Sequence, residues 1–202
     1  MQRRATNKTV SRTPRMLSLI ASLSMSAAPV ELPAWNERRL STNRTAMFVL
    51  SGWAVGNMVV GGVGFGLEKD ERLRWLHLGN AAWNVVNLAL GVVGLISDCG
   101  RNPKSFDAKQ SLVEGEKQQK VLLVNAGLDV AYLAAGAFLW QRGEATSDPR
   151  FVGLGQALLI QGAFLLGFDV VLAVLNGRLT DELLLGLDVT PSMLGLHGGL
   201  RW

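Results

Sequence analysis

The sequence predicts an all-α fold, an integral membrane four-helix antiparallel bundle. Three observations carry that expectation. First, 49% of the 202 residues are hydrophobic, mean hydropathy is positive at +0.23, and the apolar residues gather in four long blocks: 46–67, 75–96, 121–140 and 151–175. A helix of ~20 such residues crosses a bilayer. Second, most of the 23 glycines lie inside those blocks. Membrane helices tolerate glycine because it lets backbones approach closely, whereas it weakens helices in water. Third, the polar residues within the blocks recur at helical spacing. Asn80, Asn84 and Asn87 fall at i, i+4, i+7, with Gly91 and Gly94 continuing the stripe, and Asn125, Asp129 and Tyr132 repeat the spacing with Gly136. Amides and carboxyls on one face of a lipid-bound helix must face protein, water or a ligand.

The N-terminal region 1–45 divides in two. Residues 1–15 carry Arg3, Arg4, Lys8, Arg12 and Arg15 and no acid, and 16–28 form a short, serine-rich apolar run. Two readings of 1–28 stay open: a secretory signal peptide, or a basic arm with an interfacial segment. Residues 31–45, with Trp35, Arg38, Arg39 and Arg44, read as an interfacial lead-in. Block one adds Asn57 and the patterns Gly52-xxx-Gly56 and Gly62-xxx-Gly66, which suit tight helix contact. The connections EKDERLR and QRGEATSDPR are short and bring successive helices back antiparallel, whereas 97–120 is a long loop of mixed charge whose GEKQQK end starts the third helix. Block four contributes Gln156, Gln161 and Asp169. Thr180-Asp181-Glu182 in the 176–202 tail suits a capped turn, and the tail stays open between interfacial helix, hairpin and loose end.

Blocks two and three echo each other at Asn80/Asn125, Asn84/Asp129 and Gly91/Gly136. The echo is common ancestry or a shared packing demand. Let side A be the membrane face bearing the 97–120 segment. Counting ~1.5 Å per residue from side A places Asn57, Asn87, Asp129 and Asp169 at depths of ~10–16 Å. That coincidence predicts one connected intramembrane network of Asn57, Asn80, Asn84, Asn87, Asn125, Asp129, Tyr132, Gln161 and Asp169, with Trp53 and Trp83 packed on it. Trp35, Trp75, Trp140 and Trp202, near block ends, read as interface anchors.

Two functions fit such a network. Interhelical amide hydrogen bonds hold register, which makes a structural or interaction protein, associating with itself or a membrane partner through its glycine faces. Alternatively, Asp129 and Asp169 supply hard oxygen donors to a proton or to a cation such as Na⁺, which makes a small transporter or channel component. No nucleophile–base pair, phosphate loop or zinc helix occurs, so no catalytic, cofactor-binding or metal residue is expected. His77 and His197 are poorly placed for a bis-histidine haem, and the lone Cys99 excludes an intrachain disulfide. The basic residues suit membrane orientation rather than nucleic acid. Side A is richer in Lys and Arg, which puts both termini in the cytoplasm, while a cleaved signal peptide would reverse that.

The runs MFVLSGWAVGNMVVGGVGF, HLGNAAWNVVNLALGVVGL, KVLLVNAGLDVAYLAAGAF and GLGQALLIQGAFLLGFD resemble an uncharacterised family of four-helix bacterial membrane proteins, a domain of unknown function. The resemblance covers residues 46–175 and rests on Trp83-Asn84 with Asn87, Asn125 with Asp129, and Gln161-Gly162 through Asp169. It implies a bacterial inner-membrane, multi-pass protein, and it implies no activity.

Overall fold

Four helices longer than their apolar blocks make up most of the described residues. The computed structural model describes residues 30–198, with side chains described over 30–187. The expectations for 1–28, His197 and Trp202 lie outside the described side chains. The helices are α1 (Leu32–Leu67), α2 (Glu71–Cys99), α3 (Ala108–Thr146) and α4 (Pro149–Gly198), with a short 3-10 turn at Pro103–Ser105. No strand occurs among the described residues.

Local chemistry sets the helix starts. Asp70 accepts from Leu73 N at 3.0 Å and starts α2. Asp107 accepts from Gln110 N at 2.7 Å while the Gln110 side chain accepts from Asp107 N at 3.1 Å, a reciprocal box that starts α3 well inside the expected loop. The connection from α3 to α4 is only Ser147 and Asp148, with Ser147 left-handed at φ 55°. The chain therefore has far less loop than charge content suggests, because charged residues outside the bilayer remain helical.

Each helix is long and apolar enough to span a membrane, and the apolar side chains largely face outward. Phe48 is 66% exposed, Leu67 78% and Ile96 70%. A water-soluble domain does not expose apolar surface on this scale, so the chain is a multi-pass membrane protein.

Packing joins two antiparallel hairpins, α1/α2 and α3/α4, chiefly through α2 against α4, whereas α2 and α3 make no close backbone contact. A Cβ on Gly153 would strike α2 backbone at Arg72 O and Leu76 N, and one on Gly79 would lie 2.8 Å from Ala157 Cβ. These contacts join the starts of α2 and α4, which therefore run parallel and touch directly.

The glycine patterns of block one are corrected within this chain. A Cβ at Gly52, Gly56, Gly62 or Gly66 would meet nothing within 4 Å, so these residues look outward. The close approaches use Gly61, Gly64, Gly91, Gly136, Gly143, Gly155 and Gly162 instead. Gly91 admits Ser51 and Met47 of α1, and Gly136 admits Gly155 and Leu159 of α4. The Gly91/Gly136 echo thus marks the same packing demand in each hairpin.

At 36 residues, α1 is ~54 Å long against a hydrocarbon core of ~30 Å. Its surplus stands on side A beside the starts of α3 and the continuation of α4. The expected interfacial lead-in at 31–45 is instead part of a helical cap with its own core. Trp35 is fully buried, donating from Nε1 to Leu179 O at 2.6 Å, so it is no interface anchor. Leu40 and Leu183 are buried with it, and Asn36 and Ser111 exchange hydrogen bonds at 2.9 and 3.1 Å. The capped turn expected at Thr180 does not form. α4 runs on through it, and Thr180 Oγ1 donates to Asn176 O at 3.0 Å within the helix.

Candidate functional site

The inward stripes of α1, α2 and α4 meet in a buried amide layer. Gln161 of α4 is fully buried. Its Oε1 accepts from Trp53 Nε1 at 3.0 Å, and its Nε2 donates to Asn80 Oδ1 at 3.0 Å and more weakly to Asn57 Oδ1 at 3.5 Å. Asn57 Nδ2 donates to Trp53 O at 2.9 Å, Asn84 Nδ2 to Asn80 O at 2.7 Å, and Asn87 Nδ2 to Asn84 Oδ1 at 3.2 Å. Trp53 also stacks on Phe164, centroids 3.9 Å apart. One residue, Gln161, thereby ties three helices together.

The carboxyl groups form a second cluster nearer side A. Asp129 of α3 and Asp169 of α4 are both buried. They border a cavity of about 140 Å³ with Asn87, Asn125, Tyr132 and Trp83. The indole of Trp83 meets the Tyr132 ring edge-on at 4.9 Å, spanning the gap between α2 and α3. Asp129 Oδ2 and Trp83 Nε1 are buried without a hydrogen-bond partner. The expectation of a single network is therefore refined. The nine residues divide into a hydrogen-bonded amide group (Asn57, Asn80, Asn84, Gln161) and a cavity group (Asn125, Asp129, Tyr132, Asp169). Asn87 belongs to both.

A wider space of about 350 Å³ leads from side A to this cavity. Arg39, Asn43, Asp98, Arg101, Glu114, Lys117 and Gln118 surround its outer part, and Asn125 and Asp169 its inner end. Asp169, Asn125, Leu50, Leu90 and Phe168 border both spaces, so the two adjoin. The outer groups are largely committed to one another. Arg101 pairs with Glu114 at 2.7 Å, Asn43 donates to Asp98, and Gln118 donates to Asn43 at 2.6 Å. Arg39, 3% exposed, lies over the rings of Trp35 and Phe106 at 5.8 and 5.4 Å. Sequence spacing did not reveal this vestibule, because its residues come from segments that read as lead-in and loop. The polar i, i+4 pair Arg39/Asn43 was the available signal.

Two inward carboxyls with amide and phenol oxygens around them make a donor set of hard oxygens. No group of three or more His, Cys, Asp or Glu side chains suited to a metal ion occurs among the described residues. His77 packs its ring against Gly64 between α1 and α2.

Fold and site together define a four-span helical membrane protein with an acidic cavity open toward one side. Within that class, the chain belongs to the family of unknown function DUF6992, whose pattern matches residues 49–170. That match spans the amide layer and the carboxyl pair, and it leaves out the parts of the side A cap that α1 and α4 supply. No curated protein and no solved structure matches the chain.

Proposed function

We propose that this protein handles cations within the membrane, with Asp129 and Asp169 holding a proton or a small hard cation such as Na⁺ taken up from side A through the vestibule. The contrast between the two polar clusters carries the reading. The amide layer satisfies its own hydrogen bonds. The carboxyl pair offers acceptors to acceptors, and Asp129 Oδ2 has no partner. An unpaired buried polar group costs ~1–3 kcal/mol, more when charged, and two ionised carboxylates on one cavity repel each other. A bridging proton or cation removes both costs. Amides at these positions would hold the helices at lower expense to stability, so carboxyls point to a charge that comes and goes. The Lys and Arg bias supports a side A that faces the cytoplasm, a bacterial inner membrane is the setting we propose, and the role needs no enzymatic step.

Infrared difference spectroscopy on reconstituted protein, with pH and Na⁺ varied, tests the reading. A carboxyl band that changes with proton or Na⁺ and disappears in Asp129→Asn and Asp169→Asn supports it. A spectrum with no carboxyl change in either titration, in protein that keeps its helicity, overturns it.

A second reading, a structural or interaction protein, draws on the outward glycines of α1. Gly52, Gly56, Gly62 and Gly66 leave open space on the lipid-facing side, the kind of surface a second helix packs against. Cysteines placed at Gly52 or Gly62 crosslink two copies if this reading holds, and their failure to crosslink in the bilayer removes it.

A further inference from the structure

Outside the acidic cavity, a groove of about 750 Å³ lies between α1 and α4, on the lipid-facing surface. It exists because α1 and α4 barely touch along this stretch and because Ala46, Ala163 and Gly167 leave it unfilled. A Cβ at Gly167 would meet nothing within 4 Å. Phe164, Phe168 and Leu172 supply its apolar wall. On α4 the groove runs from Ala163 to Leu175, a rise of ~18 Å. One leaflet of hydrocarbon is ~15 Å deep, half of a ~30 Å core. The groove therefore reaches from the middle of the α4 apolar block to its side A end, the depth of a single acyl chain in that leaflet.

Its side A end opens into a polar mouth of about 480 Å³ bordered by Glu37, Arg38, Ser41, Thr42, Arg178 and Glu182. Ser41, Thr42 and Leu175 border both spaces, so mouth and groove adjoin. Three of the four charges at the mouth are taken up. Arg38 pairs with Glu182 at 2.5 Å, and Glu37 pairs with Arg44 at 2.8 Å. Arg178 is exposed and has no ion pair among the described residues. An apolar slot one leaflet deep, with hydroxyls where a chain joins its headgroup and a spare guanidinium above them, matches one kind of molecule.

We propose that this is a binding site for a glycerophospholipid of the side A leaflet. One acyl chain occupies the groove, the hydroxyls of Ser41 and Thr42 donate to the ester region, and Arg178 takes the phosphate. Guanidinium is suited to phosphate through paired N–H donors. The site is separate from the acidic cavity, although Phe168 borders both.

Native mass spectrometry of delipidated protein titrated with phosphatidylglycerol, and separately with diacylglycerol of the same chains, tests the proposal. The expected result is one retained phosphatidylglycerol and no retained diacylglycerol. Gly167→Trp, whose Cβ meets nothing within 4 Å and whose indole takes up groove space, and Arg178→Ala, at an exposed position, should each weaken retention by roughly tenfold, as for loss of one charge-assisted or well-packed contact. Circular dichroism confirms that both variants remain folded. Equal retention of diacylglycerol, no retained lipid, or unchanged retention in both variants overturns the proposal.

Discussion

Gly155→Ala and Gly56→Ala should move stability in opposite directions, although both replace glycine by alanine in an apolar helix. At Gly155 the new methyl would lie 2.5 Å from Trp140 N, 2.7 Å from Gly136 O and 3.0 Å from Trp140 Cα. All three are backbone atoms of α3, so no side-chain rotation relieves the contact. Ordinary van der Waals contact begins near 3.4 Å, which obliges α3 and α4 to part by about 1 Å at their tightest crossing. Overpacking of this kind costs ~1–3 kcal/mol. The upper part of that range applies here because only backbone can move, while better helix propensity returns up to ~1 kcal/mol. The net expectation is a loss of about 2 kcal/mol. At Gly56 the methyl meets nothing within 4 Å, so only the propensity term remains and stability holds or rises by up to ~1 kcal/mol. SDS-driven unfolding from a mild detergent, followed by far-UV circular dichroism, measures both on one scale. A Gly155→Ala protein as stable as wild type would refute the packing described for α3 and α4. A Gly56→Ala protein destabilised in the monomer would refute the outward placement of that face.

Two further predictions concern groups outside the bilayer. Trp35→Phe removes the indole donor to Leu179 O, 2.6 Å away, in a fully buried position; a loss of ~1–2 kcal/mol is expected. Hydrogen exchange should show it as faster exchange in the first turns of α1 with α2 unaffected, and unchanged exchange in those turns would show that the side A cap is not a packed unit. Asp148 begins α4, and the hydrogen bonds it accepts from the Arg150 guanidinium hold its carboxyl below the ordinary value. A lowered folded-state value means the contribution is present above the unfolded value, near pH 3.9, and is lost as pH falls through the folded one. Thermal melting should therefore separate wild type from Asp148→Asn at neutral pH and bring them together in strong acid; a gap that widened on acidification would contradict the pairing.

The four spans and the inward faces were legible because a bilayer enforces them. A run of ~20 apolar residues has one use in this setting, and an amide at i, i+4, i+7 has one tolerable direction. The same rule turns Asn80, Asn84, Asn87, Gln161, Asp129 and Asp169 inward. Outside the bilayer that enforcement ends. Charged residues there are as acceptable in a helix as in a loop, so 31–45 and 108–114 gave no sign that they continue α1 and begin α3. The burial of Trp35 depends on a carbonyl 144 residues away, and no local pattern encodes such a partner.

The choice of neighbour was equally hidden, and it explains why the polar residues form two clusters. Spacing fixes which face of a helix is polar but not which helix that face meets. Chain order suggests that α2 should pack on α3, its successor. The contacts that decide otherwise are Gly153 against the backbone of Arg72 and Leu76, and Gly79 against Ala157. They place α4 beside α2 and hold α3 away from it. Gln161 on α4 can then reach Asn80 on α2 and close the amide layer. The facing stripe of α3, with Asn125, Asp129 and Tyr132, is left to border open space instead of another helix backbone. Small residues at the α2/α4 contact thus create the gap between α2 and α3, and that gap is what connects a buried carboxyl pair to side A.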